Sequence, residues 1–421
     1  MPAMKIVILL CYLLSLALGL GLRALNLRHL RRHGDEVPPP LAGVIAPEKL
    51  AETSAYTLAQ SRFGLVETLF SSLLVLIFFF GGLLAIYDGF FAGAGFFVLR
   101  GVGFFLGLML VTELLDLPFS LYRTFRLEAR FGFNTSSFGL WLADQAKGLA
   151  LGAVLGGLLI AGALALIRWS PVHWWLWVWG FFAAVSLFLM YLSPYLIEPL
   201  FHKFTPVTKE GLEERIRTLL AKAGLQVSRV QQVDASRRSR HSNAYFTGIG
   251  RVKRIVLYDT LIEQLDEEEL LAVLAHEVGH WKKGHILKRL LTTEVLSFAL
   301  CYLAFMLLRW GGLAALLGLP AASFYAQATV LGFLLSLAGF FFTPLGSALS
   351  RRHEWQADAF ATSLTENPQA LATALAKLSR DNLANLHPHP LYAWFHYSHP
   401  PVAVRIARLT GRCGSAVQRH S

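Results

Sequence analysis

Seven long apolar runs dominate the polarity pattern of this chain, at residues 6–22, 68–87, 96–121, 149–167, 174–197, 290–308 and 328–349. Each approaches or exceeds the roughly 20 apolar residues that carry a helix across a bilayer, so seven membrane spans are predicted. Lys5 before the first run gives it the look of a signal peptide. It lacks a small-x-small cleavage site, however, and Arg23, Arg28, Arg31 and Arg32 follow it like a stop-transfer anchor. An uncleaved helix is predicted.

The longest polar stretch, residues 198–289, has an element pattern of its own. Residues 211–223 place Leu212, Ile216, Leu219 and Leu220 on one side, as an amphipathic helix does. Residues 243–249 and 252–258 read as two strands flanking a turn at Gly250 and Arg251. Asp266 followed by Glu269 is a capping box, and it opens a helix through the apolar run from Leu270 to Ala275. Four segments result: transmembrane helices one to five at 1–197, a polar region at 198–289, helices six and seven at 290–349, and a C-terminal polar region at 350–421. The predicted fold is an all-α polytopic membrane protein with a small α+β domain on one side.

Charge alternates between the connections and orients them. Arg23 to Arg32 follow the first run, whereas only Asp88 lies between the second and third. Arg123, Arg126, Arg130 and Lys147 follow the third; Arg168 stands alone after the fourth. The region after the fifth is rich in Lys and Arg. Arg309 is the one basic residue between the sixth and seventh, and Arg351 and Arg352 open the tail. By the positive-inside rule the N-terminus is outside and the C-terminus cytoplasmic.

Composition agrees with a membrane protein: 55% of residues are hydrophobic, mean hydropathy is +0.50 and only 15% are charged, against about a quarter in soluble domains. The net charge of +11 belongs to loops beside anionic lipid, so no nucleic-acid partner is expected. The three cysteines show no paired spacing, so a metal site here must use His and carboxylates. Arg100, Glu113, Asp116 and Glu294 fall in or near the runs. Such groups face a bundle interior, either as ion pairs or lining a hydrated cavity.

The candidate chemistry lies on the capped helix, which carries His276-Glu277-Val278-Gly279-His280, an H-E-x-x-H motif. Helical spacing puts both imidazoles on one face towards a single ion, with Glu277 in reach of a water at that ion. A metal acidifies the water and the carboxylate takes its proton. Catalytic zinc usually takes three protein ligands, so a third must come from elsewhere. Just past the last run, a helical stretch at 350–360 carries Glu354 and Asp358 one turn apart. Glu354 would complete a His₂Glu set, and Asp358 would hydrogen-bond a ligating histidine. The alternative is a solvated acidic pair balancing Arg351 and Arg352; His353 is a rival ligand on the wrong face relative to Asp358. Helices six and seven, joined by a short loop, would bring the two motifs together. The strand Asn243, Ala244, Tyr245 and Phe246 is a candidate edge for pairing with a peptide backbone, or else an ordinary strand packed on the helix.

These blocks resemble the type I CAAX prenyl protease family of integral-membrane zinc metalloproteases. The resemblance rests on His241-Ser-Asn-Ala-Tyr-Phe246, on H-E-V-G-H at 276–280, on H-E-W-Q-A-D-A-F at 353–360 and on Phe395-His-Tyr-Ser-His-Pro-Pro401. Leu117-Pro-Phe-Ser-Leu-Tyr122, Gly132-Phe-Asn134, Ile197-Glu-Pro-Leu-Phe201 and Lys203-Phe-Thr-Pro206 follow the same order, so that it spans residues 96–409. It implies seven helices around a water-filled chamber and one Zn²⁺ held by His276, His280 and Glu354. It also implies Glu277 as general base, Asp358 behind the ligands or as proton donor, and His399 and Arg405 near the active centre. His399 would steady the oxyanion, or else serve as a turn histidine before proline. The expected activity is peptide-bond hydrolysis on a peptide or protein substrate at the bilayer, prenylated in eukaryotic relatives. Two alternatives are a quality-control protease without prenyl preference, and a scaffold or transporter with structural zinc. Compact loops and an Ala/Leu/Gly/Arg-rich composition lean towards a bacterial inner membrane over the endoplasmic reticulum.

Overall fold

A computed structural model describes residues 2–93, 95–247, 254–319 and 321–411. Among these, seven helices are long and apolar enough to cross a membrane: Ala3–His33, Pro47–Phe80, Phe97–Glu128, Phe138–Trp169, Trp174–Phe201, His285–Trp310 and Phe324–Thr365. Large apolar side chains such as Leu158, Phe188, Val295 and Phe342 stay exposed on them, as lipid-facing residues do. The second span differs from the expectation. The apolar run at 68–87 breaks at Gly81 and Gly82, where Gly82 has φ 90°, a left-handed conformation that costs glycine little. The span instead begins at Pro47, and Leu83–Phe90 is a separate short helix. Its Asp88 accepts the backbone N–H of Ser323 at 2.8 Å and also its hydroxyl, anchoring the start of the seventh span. Glu113 and Asp116 are exposed, and among the described residues Arg100, Glu113, Asp116 and Glu294 form no ion pair. The ion-pair reading of these charges therefore fails.

The polar domain is built on four strands, β1 (Phe204–Pro206), β2 (Arg229–Val233), β3 (Ala244–Thr247) and β4 (Arg254–Tyr258), in the order β1-β2-β4-β3. β2 and β4 are parallel, while the outer pairings are antiparallel. The two expected strands are thus present, and the turn expected at Gly250 and Arg251 lies outside the described residues. β4 is central, and its Ile255, Val256 and Leu257 are fully buried. Ile255 and Leu257 pack with Leu212, Ile216 and Leu220 of the amphipathic helix Leu212–Lys222 and with Leu270 and Leu274 of the motif helix Glu267–Lys282. Each such side chain contributes about 1.5–3 kcal/mol when removed from water.

The motif helix ends at Gly284, whose φ of 67° turns the chain into the sixth span. The seventh span is one helix of 42 residues. At 1.5 Å per residue it is about 63 Å long, roughly twice the hydrocarbon core of a bilayer. The expected span and the expected polar helix after it are therefore one rod, with Pro344 inside it.

Candidate metal centre

The motif helix is fixed at its start before it presents any chemistry. Asp266 Oδ1 accepts the N–H of Glu269 at 3.0 Å, and Glu269 Oε2 accepts that of Asp266 at 3.0 Å. Glu269 is buried, and Lys377 of the helix Pro368–Asp381 neutralises it at 2.6 Å. Three turns on, Gly279 sets how closely the seventh span approaches. A Cβ there would stand 2.9 Å from Ala357 Cα, 3.0 Å from Ala357 O and 3.2 Å from Phe360 Cβ. Only a hydrogen fits.

That approach brings three candidate ligands together. His276 Nε2 and His280 Nε2 are 3.2 Å apart. Glu354 Oε2 lies 3.3 Å from the first and Glu354 Oε1 lies 3.2 Å from the second. The ligand atoms of these three residues all fall within 4.8 Å of one another. Tetrahedral ligands at 2.0–2.1 Å from zinc stand roughly 3.3 Å apart, so the spacing suits that ion. Glu354 Oε2 is also buried without a hydrogen-bond partner among the described residues, with Arg405 Nη1 3.5 Å away as an ion pair, so its lone pairs remain available to a metal. Arg351 and Arg352 form no ion pair with Glu354 or Asp358; Arg351 instead holds the carbonyls of Trp394 and Tyr397 at 3.1 and 2.8 Å.

Behind the ligands, hydrogen bonds settle the tautomers. His276 Nδ1 lies 2.8 Å from Asp358 Oδ1, so Nδ1 donates and, once the ring is neutral, Nε2 holds the lone pair. His285 Nε2 donates to Gln356 Oε1 at 2.8 Å, which leaves His285 Nδ1 to accept from His280 Nδ1 at 3.0 Å. Both Nε2 lone pairs therefore face one point. Asp358 is itself gripped by Arg405, through Nε at 2.9 Å and Nη2 at 2.6 Å. Arg405 is only 7% exposed, and its fork is filled by this carboxylate rather than turned to open space. His353 stacks on His285 at 4.1 Å and stays outside the cluster. Burial raises the Glu277 carboxyl above its ordinary range, although both neighbouring histidines oppose the shift.

Of the remaining expected residues, His399 reaches the cluster, whereas Tyr245 turns to the other face of the sheet and donates its hydroxyl to Glu198 Oε2 at 2.9 Å. His399 points Nε2 at Glu354 Oε1 from 3.4 Å, its side chain is 62% accessible, and its Nδ1 meets Ser398 Oγ at 3.0 Å. Asn243 uses its own Oδ1 to accept Ala244 N–H at 2.8 Å, which starts β3 at the outer edge of the sheet. Ala244 and Phe246 pack in the same core as the motif helix. His241, two residues earlier, stacks on Phe133 at 4.0 Å and meets Asn382 Oδ1 at 2.9 Å and Glu128 Oε2 at 3.3 Å. The blocks at 132–134 and 241–246 are thereby in contact. Sequence reasoning missed His285 and Gln356. The signal for His285 is weak, since it lies five residues from His280 across the helix break at Gly284.

Residues 26–203 match the CAAX prenyl protease N-terminal family, described by five membrane helices, and residues 206–413 match peptidase family M48. A CAAX prenyl protease 1 homolog of Oryza sativa subsp. japonica is 35% identical over 397 residues, covering 89% of this chain and 90% of the relative. The CAAX prenyl protease 1 homolog of Homo sapiens is 33% identical, covering 91% and 90%. CAAX prenyl protease 1 of Saccharomyces cerevisiae is 36% identical, covering 72% and 71%. The crystal structure of S. mikatae Ste24p superposes with a TM-score of 0.87 at 29% identity, over 96% of this chain and 99% of that one. These relatives give no support to the compositional lean towards a bacterial inner membrane.

Proposed function

The chain belongs to peptidase family M48 and is a multi-pass membrane metalloprotease, and from that premise we propose that it uses one Zn²⁺ to hydrolyse peptide bonds near prenylated C-terminal CAAX tails. The observation that carries the reading is the convergence of His276, His280 and Glu354. A bound zinc supplies the Lewis acid that polarises the scissile carbonyl and acidifies the attacking water. Glu277, made more basic by burial, takes the proton from that water and passes it to the leaving amine nitrogen. Asp358 holds the proton on His276 Nδ1, and Arg405 holds Asp358. His399 Nε2 donates to the oxyanion. The free edge of β3, reached from Asn243, pairs with the extended peptide. The names of the three relatives above support the CAAX substrate class.

A structural zinc would take four protein ligands. Among the described residues the cluster supplies three, which favours the protease over a scaffold or transporter. Glu277→Gln should keep its zinc and lose about 10²–10⁴-fold in kcat. Undiminished turnover in that variant rules the mechanism out. Farnesylated and unmodified copies of one CAAX peptide should differ in kcat/KM; equal values favour a protease without prenyl preference. The charge alternation further supports an outside N-terminus and a cytoplasmic metal centre. In inside-out vesicles, a membrane-impermeant thiol reagent should label Glu263→Cys in a chain whose Cys11, Cys301 and Cys413 are replaced by Ser; protection there reverses the orientation.

A further inference from the structure

A cavity of about 740 Å³ opens where the fourth and fifth spans meet the sheet, and it shares no residue with the metal centre. Among the described residues its walls carry six fixed cations, Lys147, Lys203, Arg229, Arg237, Arg238 and Arg254, together with His202 and no acidic side chain. Acids do stand behind the wall. Asp144 pairs with Arg238 at 2.8 Å and with Lys147 at 2.7 Å; Glu198 lies 3.9 Å from Arg254, and Asp234 lies 3.8 Å from His202. Three acids against six cations leave the cavity positive. Lys203, Arg229 and Arg237 are exposed at its rim.

The buried wall is held rigidly. Arg254 donates Nη1 to Pro194 O at 2.9 Å and lies 4.0 Å over the Phe204 ring. Lys147 donates to Leu200 O at 2.8 Å. Even so, two guanidinium donors among the lining residues, Arg254 Nε and Arg238 Nη1, are buried without a hydrogen-bond partner among the described residues. Buried donors are normally satisfied, so two on the lining of one positive cavity call for an acceptor with several oxygens. Guanidinium forks match the oxygens of phosphate.

The surroundings indicate where that phosphate comes from. Tyr195, Leu196 and Leu200, beside the cavity at the end of the fifth span, are large exposed apolar side chains. A headgroup in the cavity leaves its acyl chains against that surface. Basic pockets between spans at the membrane face recognise anionic lipid in this way. We propose that the cavity is a binding site for the phosphate of an anionic phospholipid. Arg254 stands opposite Thr247 of β3 in the sheet register, so an occupied cavity braces the strand next to the proposed substrate edge.

The test uses the full chain purified in neutral detergent, titrated with dihexanoyl phosphatidic acid, dihexanoyl phosphatidylcholine or inorganic phosphate and followed by calorimetry. Phosphatidic acid should bind at least tenfold more tightly than either comparator. Arg229→Gln with Arg237→Gln, both on the exposed rim, should weaken that binding about twenty-five-fold, since each basic side chain contributes roughly fivefold to anionic-lipid attraction. Arg31→Gln with Arg32→Gln, after the first span, should leave it unchanged. Inorganic phosphate binding as tightly as the lipid overturns the lipid assignment. Equal loss in the two double variants, or no binding by phosphatidic acid, overturns the site. The readout is independent of peptide hydrolysis, so it fails or succeeds separately from the proposed activity.

Discussion

A carboxylate bonded to one nitrogen of a histidine decides which nitrogen is left for a metal, and Asp358 does this for His276 at 2.8 Å. The same bond sets a pH dependence. Burial disfavours charge on His276, but the Asp358 and Glu354 carboxylates outweigh it and hold the metal-free ring up at about 9. Below that pH the ring is protonated and must lose a proton as zinc enters. Zinc affinity should therefore rise with pH, about tenfold per unit, and level off above about 9. Asp358→Asn should weaken zinc binding about 10–100-fold and move the levelling point to lower pH. A zinc titration between pH 6 and 10 that is flat for the wild type contradicts this account. His276 and His280 were legible as a pair because sharing one ion demands one spacing on one helix, and Glu277 lies between them. Glu354 was legible from its carboxylate pair. The His285–Gln356 relay was not, because its two members come from different helices and neither matches a local period.

At the scale of elements, the close crossing of the motif helix and the seventh span organises the centre. Gly279→Ala would force its methyl against backbone atoms of Ala357 at 2.9 and 3.0 Å, and backbone cannot rotate aside as a side chain can. The expected cost is about 1–3 kcal/mol, seen as a lower thermal midpoint, with weaker zinc retention as Glu354 is pushed from the histidines. An alanine variant as stable and metal-replete as wild type would mean that the crossing tolerates more space than it shows. The strands and the capping box were legible through period-two polarity and the Asp266/Glu269 spacing. The position of β3 at the sheet edge is not legible in the sequence, because strand order depends on β1 and β2, whose pairing is not local. The fourfold segmentation of the chain likewise missed that one helix serves two of its segments.

At the scale of the molecule, the number of spans was legible because a bilayer demands a minimum apolar length, whatever else a helix does. Their ends were not. Pro47 begins the second span in polar sequence, and two glycines cut its apolar run short. The seventh span runs on to Thr365 because nothing between Leu349 and Glu354 breaks a helix. Glu354 lies about 45 Å along that rod from Phe324, beyond the roughly 30 Å that lipid covers. One helix is therefore gripped by lipid at one end and holds a proposed metal ligand at the other. Bilayer thickness becomes a chemical variable. A membrane too thin or too thick for the apolar length is accommodated by tilt, and a small tilt at the lipid end becomes a displacement of the carboxylate. Reconstitution in phosphatidylcholines of graded acyl length should shift zinc affinity, with an optimum at one thickness, before it affects folding; affinity constant across the series would show that Pro344 absorbs the strain.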